Sequence, residues 1–160
     1  MADVTFFPIN DDVLKSHICE DILHSLPQWF GIESAILDYS QGVKGKFFLA
    51  AKVKEDVVGI ISIKENTLYT DEIYVMGIKK EFHRTGIGKE LVERAAQHSR
   101  KMNKWLLSVK TLSDFDSDVN YAKTRKFYLA MGFYPLEEIT ELWGEENPCL
   151  IMVKVLRGDF

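Results

Sequence analysis

Two spacings of apolar residues alternate along the chain, and each change of spacing marks an element. Val4 to Ile9 is a short β-branched and aromatic run that predicts a strand. Asn10, Asp11 and Asp12 then offer N-cap oxygens to a helix running to about Ser25. Its apolar residues Leu14, Ile18 and Ile22 recur every four positions, with Asp12, Lys15 and Glu20 facing away. Leu26-Pro27-Gln28 breaks that helix. A second helical piece follows from Ile32 to Ser40, with Ile32, Ala35, Ile36 and Tyr39 on one side.

Three strands come next. Phe47 to Val53 and Val57 to Lys64 are joined by Lys54-Glu55-Asp56, a polar turn of hairpin length. Leu68 to Ile78 is the third, interrupted by Gly77, which marks either a bulge or a close backbone approach. A Gly-containing loop, His83 to Gly88, opens a long helix reaching about Met102. Its buried stripe is Ile87, Leu91, Val92, Ala95, Ala96 and Met102. Trp105 to Val109 reads as a strand. A loop rich in Asp and Ser, Ser113 to Asp118, feeds a helix ending near Met131, with Gly132 placed as its C-cap. Strands near Phe133 to Ile139 and Leu150 to Val155 flank an acidic loop. The pattern predicts an α/β or α+β chain: a single sheet with helices packed on it.

Composition narrows the function. At 160 residues, 46% hydrophobic and 28% charged, the chain is expected to form one globular domain, residues 1–160. A net charge of -4 speaks against nucleic acid, whose phosphates reward a basic surface. Val57 to Ile63, the longest apolar stretch, falls far short of the ~20 residues that cross a bilayer, so no membrane partner is expected. The first residues show no cationic segment followed by an apolar one. Cys19 and Cys149 lie far apart with no CxxC or Cys/His cluster, so no metal site is expected. A reduced, cytoplasmic setting follows as the expectation.

The strongest chemical signal is strand, Gly-containing turn and amphipathic helix between Ile73 and Met102. A helix N-terminus presents free backbone N–H groups and partial positive charge, and glycine lets an anion approach closely. The phosphate-loop pattern ending in Gly-Lys-Ser/Thr fails, because His83 stands where its first Gly belongs and Glu90 follows Lys89. The dinucleotide pattern fails too, since position 91 is Leu where a third Gly is needed.

Ile78-Lys79-Lys80-Glu81-Phe82-His83-Arg84-Thr85-Gly86-Ile87-Gly88 resembles the Gln/Arg-x-x-Gly-x-Gly/Ala motif of the GNAT superfamily of acyl-CoA-dependent N-acetyltransferases. His83 occupies the Gln/Arg position, the one departure. Downstream, Asn120 to Phe133 is similar to the family's helix ending in Phe-Tyr-x-x-x-Gly-Phe. Element order agrees from Val4 to Val155. The resemblance implies a mixed, mostly antiparallel, splayed sheet of about seven strands with helices on both faces.

It also implies an N-acetyltransferase in which an amine attacks bound acetyl-CoA directly, with no metal. Amides of His83, Arg84, Thr85, Gly86, Ile87, Gly88 and Lys89 would hold the pyrophosphate; Ile78 and Lys80 amides would align the pantetheine arm, with Gly77 as a bulge site. Asn120 joins the cofactor-binding set. Tyr128 takes the family's tyrosine position, as acid for the departing thiolate, or else is a core aromatic. Glu72, eleven residues before His83, stands where some members place a catalytic base, although other members use a water relay. Trp29 and Phe30 would line the acceptor pocket, or simply pack beneath their turn.

Some residues carry no motif. His17 and His24 read as structural or exposed, and Cys149 as a small buried hydrophobe. Glu137, Glu138, Glu141, Glu145 and Glu146 around Trp143 form either a solvated loop or an acidic rim for a cationic acceptor. The expected partner is an amine-bearing small molecule or peptide, and the chain is expected as a monomer or homodimer. The rival reading is a non-catalytic acyl-CoA-binding sensor or interaction module of the same fold.

Overall fold

The computed structural model describes residues 3–113 and 119–157. Its elements are β1 (Val4–Pro8), α1 (Asp12–His24), α2 (Glu33–Gly42), β2 (Phe47–Val53), β3 (Asp56–Glu65), β4 (Thr70–Ile78), a 3₁₀ turn (Lys80–Phe82), α3 (Ile87–Lys101), β5 (Leu106–Leu112), α4 (Val119–Ala130), β6 (Tyr134–Ile139) and β7 (Cys149–Val155). Seven strands form a mixed sheet in the order β1-β2-β3-β4-β5-β7-β6. β4 and β5 run parallel, while β1–β2, β2–β3, β5–β7 and β6–β7 are antiparallel. Every predicted element is present. Of the expected Asp/Ser loop, Ser113 to Asp118, residues 114–118 lie outside the described residues. No described helix is long and apolar enough to cross a membrane.

The chain divides into two compact units, Met1–Lys64 with Tyr74–Gln97 and Glu65–Ile73 with His98–Phe160. In the first unit, Asp11 caps α1 by accepting from the Leu14 amide at 2.9 Å. The helix buries Cys19, Ile22 and Leu23 against Ile36, Phe48, Ala50, Ile60 and Val75. Its inner face is rotated from the predicted one. Leu14 is 48% exposed, whereas Lys15 is buried. Lys15 tolerates burial because its Nζ donates to the Lys46 carbonyl at 2.6 Å and pairs with Asp12 at 3.2 Å.

Helices cover both faces of this unit's strands. A Cβ on Gly77 would lie 3.0 Å from Ile22 and Leu26 of α1. A Cβ on Gly59 would lie 3.2 Å from Ile78 and 3.3 Å from Leu91 of α3. Gly77 therefore serves close approach of α1. Earlier in β4, Val75 is buried in the α1–α2 core and half-buried Tyr74 packs against its edge. From α3, Ile87, Leu91, Val92, Ala95 and Ala96 are buried as predicted. Met102, predicted with them, is 56% exposed because it lies beyond the last helical turn.

In the second unit, β5 pairs in parallel with β4 from Thr70↔Leu106 to Ile73↔Val109, and antiparallel with all of β7. Buried Asp71 accepts from Ser99 Oγ at 2.7 Å, fixing the end of α3 to β4. Lys104 Nζ donates to Glu65 at 2.6 Å and to the Thr67 carbonyl at 2.9 Å. Arg125 donates to the Leu112 and Ser113 carbonyls, tying α4 to the end of β5. α4 stops at Gly132, whose φ of +88° suits glycine, and Lys154 caps it by donating to the Met131 carbonyl at 2.7 Å.

Candidate active site

The turn after β4 is built to expose amides. Lys79 N donates to the Val58 carbonyl at 2.8 Å, so the neighbouring Ile78 amide points to the side of β4 away from β3. The Lys80 amide donates no backbone hydrogen bond among the described residues. His83 N closes the 3₁₀ turn onto the Lys80 carbonyl, and Thr85 Oγ1 donates to the Phe82 carbonyl at 2.5 Å. Arg84 then takes φ +61° and Gly86 φ +90°, folding the chain into the helix start. The first α3 bond from this turn is Glu90 N to the Gly86 carbonyl. The six amides of residues 84–89 donate no backbone hydrogen bond among the described residues. Consecutive undonated amides at the start of a 15-residue helix make an anion cradle, and nothing lies within 4 Å of a Cβ added at Gly86. That arrangement fits a diphosphate. Lys89 and Arg84 are exposed beside it.

His83 donates through its ring. Nε2 lies 2.6 Å from the Ile78 carbonyl oxygen, which can only accept. Its ring meets Trp29 edge-on, with centroids 5.5 Å apart. Trp29 and Phe30 are half-buried and pack against the α1–α2 core, and Phe30 also meets Tyr39 at 5.9 Å. Both pack against that core and keep part of their surface exposed.

The other predicted groups belong to the second unit. Glu72 is buried, and its Oε1 accepts from Lys110 Nζ at 2.7 Å and Asn66 Nδ2 at 2.8 Å. Among the described residues, Thr111 Oγ1 is the buried side-chain polar atom left without a partner. Among the described residues, Oε2 of Glu72 accepts no hydrogen bond. A carboxylate held by one oxygen and open at the other can receive a proton. Sequence spacing gave no sign of Lys110 or Asn66.

Tyr128 lies in the last turn of α4, 6% exposed, with Phe127 and Phe133 ring centroids 5.3 and 5.4 Å away. Burial pushes its phenol well above the ordinary 10, and Tyr121 adds to the shift. Asn120 is half-buried in the first turn of α4, its carbonyl accepting from Thr124 Oγ1 at 3.1 Å. Cys149 is fully buried, its thiol pushed up by burial. His24, read as structural or exposed, pairs with Glu33 at 2.8 Å on the surface. The five glutamates from Glu137 to Glu146 are exposed, and none pairs with a cation among the described residues. A cavity of about 310 Å³ lined by Arg100, Asn103, Lys104, Trp105, Leu156 and Arg157 holds none of the predicted site residues.

The family model for the acetyltransferase (GNAT) domain matches residues 44–135. No curated protein sequence matches the chain. Solved structures share its fold at low identity. A GNAT-family structure from Desulfovibrio desulfuricans superposes with a TM-score of 0.83 at 17% identity, covering 97% of this chain and 100% of the other. The aminoglycoside 6'-N-acetyltransferase from Enterococcus faecium gives 0.74 at 16% identity, covering 99% of each. A GNAT family acetyltransferase from Elizabethkingia anophelis with acetyl-CoA bound gives 0.70 at 17%, covering 95% and 97%.

Proposed function

We propose that this chain, which belongs to the GNAT acetyltransferase family, transfers an acetyl group from acetyl-CoA to a primary amine of a small molecule or peptide by direct attack in a ternary complex. The observation that carries the reading is the run of undonated amides from 84 to 89 at the start of α3. These amides bind the diphosphate, with Gly86 giving clearance, while the Ile78 and Lys80 amides align the arm that follows. Bound acetyl-CoA supplies the thioester carbonyl that the amine attacks. An alkyl ammonium has a pKa around 10.4 and must first lose a proton, which Oε2 of Glu72 accepts. As the new C–N bond forms and the C–S bond breaks, the Tyr128 phenol gives its proton to the departing sulfur. Its raised pKa keeps that proton in place throughout the neutral range.

The acceptor is a cationic amine. Five exposed glutamates without cation partners among the described residues support this, because they draw positive charge to the second unit. Aminoglycosides, the class in the name of the Enterococcus faecium neighbour, are amines of this kind. The test is thiol release from acetyl-CoA across polyamines, aminoglycosides and lysine-containing peptides. Amine-dependent release is expected; tight coenzyme binding with no release for any amine would instead identify an acyl-CoA sensor.

A further inference from the structure

One side chain in the first unit touches both the cofactor turn and the proposed acceptor wall. His83 stands just before the run of amides, 84 to 89, that donate no backbone hydrogen bond among the described residues. Its Nε2–H donates to the carbonyl of Ile78, the last residue of β4, at 2.6 Å. Its ring also meets the Trp29 indole, with centroids 5.5 Å apart and planes inclined at 73°, an edge-to-face pair. Trp29 lies in the connection between α1 and α2, where its amide donates to the Leu26 carbonyl at 3.1 Å. The backbone changes sharply just after His83, from φ -64° there to +61° at Arg84.

We infer that His83 is a positioning residue that couples the cofactor turn to Trp29. The inference rests on the reading of that turn as the coenzyme site. The hydrogen bond to Ile78 fixes the ring against the end of β4, and the ring edge sets the indole. Filling the turn with diphosphate selects one ring position, and with it one position of the acceptor wall. By linkage, acceptor binding must favour the coenzyme-loaded turn by the same factor. The Gln or Arg of the family pattern would put a flexible chain here in place of a rigid ring edge.

The test reads Trp29 emission, taken as the signal lost in Trp29→Phe, while coenzyme A is titrated to saturation fixed independently by calorimetry. The wild-type protein should show a Trp29 response at saturation. His83→Gln keeps a donor for the Ile78 carbonyl and removes the ring, so the response should be lost. His83→Phe keeps a ring beside Trp29 but loses the donor to the Ile78 carbonyl, so its response should fall below the wild type and exceed that of His83→Gln. His83 is exposed, so both variants should keep the fold, checked by circular dichroism. Calorimetric binding with no Trp29 response in the wild type, or an equal response in His83→Gln, overturns the coupling while leaving the coenzyme site in place. Absence of calorimetric binding to the wild type overturns the site and the coupling together.

Discussion

Lys110 reaches Glu72 across the parallel pair β4–β5, with Nζ 2.7 Å from Oε1, and Asn66 donates to that same oxygen at 2.8 Å. The carboxylate is thus gripped at one corner and left open at the other. Glu72→Gln keeps the shape and the Oε1 acceptor but removes the capacity to take a proton. Turnover should fall by roughly one to two decades while coenzyme affinity, read by calorimetry, stays the same. Unchanged turnover would hand the proton to a water relay and leave Glu72 with a structural role.

Lys110→Met separates orientation from chemistry. The carboxylate would lose its cation in a site where its side chain is 7% exposed. Denaturant unfolding should register a loss of about 1.5–3 kcal/mol, the scale of a hydrogen bond to a charged group. An unaltered midpoint would show that solvent at Oε2 already balances the charge.

Tyr128 makes a prediction about alkali. Burial raises its folded-state pKa above the unfolded value of about 10, so its contribution to stability is full below pH 10 and is lost as pH rises beyond it. Tyr128→Phe removes that proton linkage, and the gap in unfolding free energy between the two proteins should change only above pH 10. Turnover of Tyr128→Phe should drop by roughly one to two decades with coenzyme binding intact. Wild-type turnover should show no alkaline loss attributable to this phenol below pH 10.

Much of this architecture was legible because strands and hairpins declare themselves locally. Phe47 to Val53 was placed to the residue by its composition and the short polar turn after it. The face of α1 was not legible. Lys15 is buried because the Lys46 carbonyl, 31 positions away, accepts from it, and no periodicity announces such a partner. Gly77 shows a similar limit: its chain position suggested a bulge or a close approach, and only the packing of Ile22 and Leu26 selects between them. Motif resemblance picked out Glu72, but Lys110 reaches it only through the pairing of β4 with β5, and Asn66 only from the turn between β3 and β4.

Gly86 tests the cradle itself. Its φ is +90°, and no heavy atom lies within 4 Å of an added Cβ, so a substitution there strains the backbone without creating a clash. A β-branched side chain is strongly disfavoured at that φ. Gly86→Val should re-aim the amides of the turn and weaken coenzyme A binding by about tenfold or more, equivalent to about 1.4 kcal/mol. Calorimetry showing unaltered affinity would displace the diphosphate from this turn.

Gly77 isolates the opposite effect, since its constraint is space. An added Cβ would stand 3.0 Å from Ile22 and from Leu26, and 3.7 Å from Leu23, all in or just after α1. Ile22 and Leu23 are fully buried, so neither can swing into solvent. The helix must move off β4 or the core must repack, and overpacking of this kind typically destabilises by about 1–3 kcal/mol. Gly77→Ala should therefore lower the denaturant midpoint without altering the slope. A stabilised variant would mean that the lost backbone entropy of glycine outweighs the contact, and that α1 rides on β4 with room to spare.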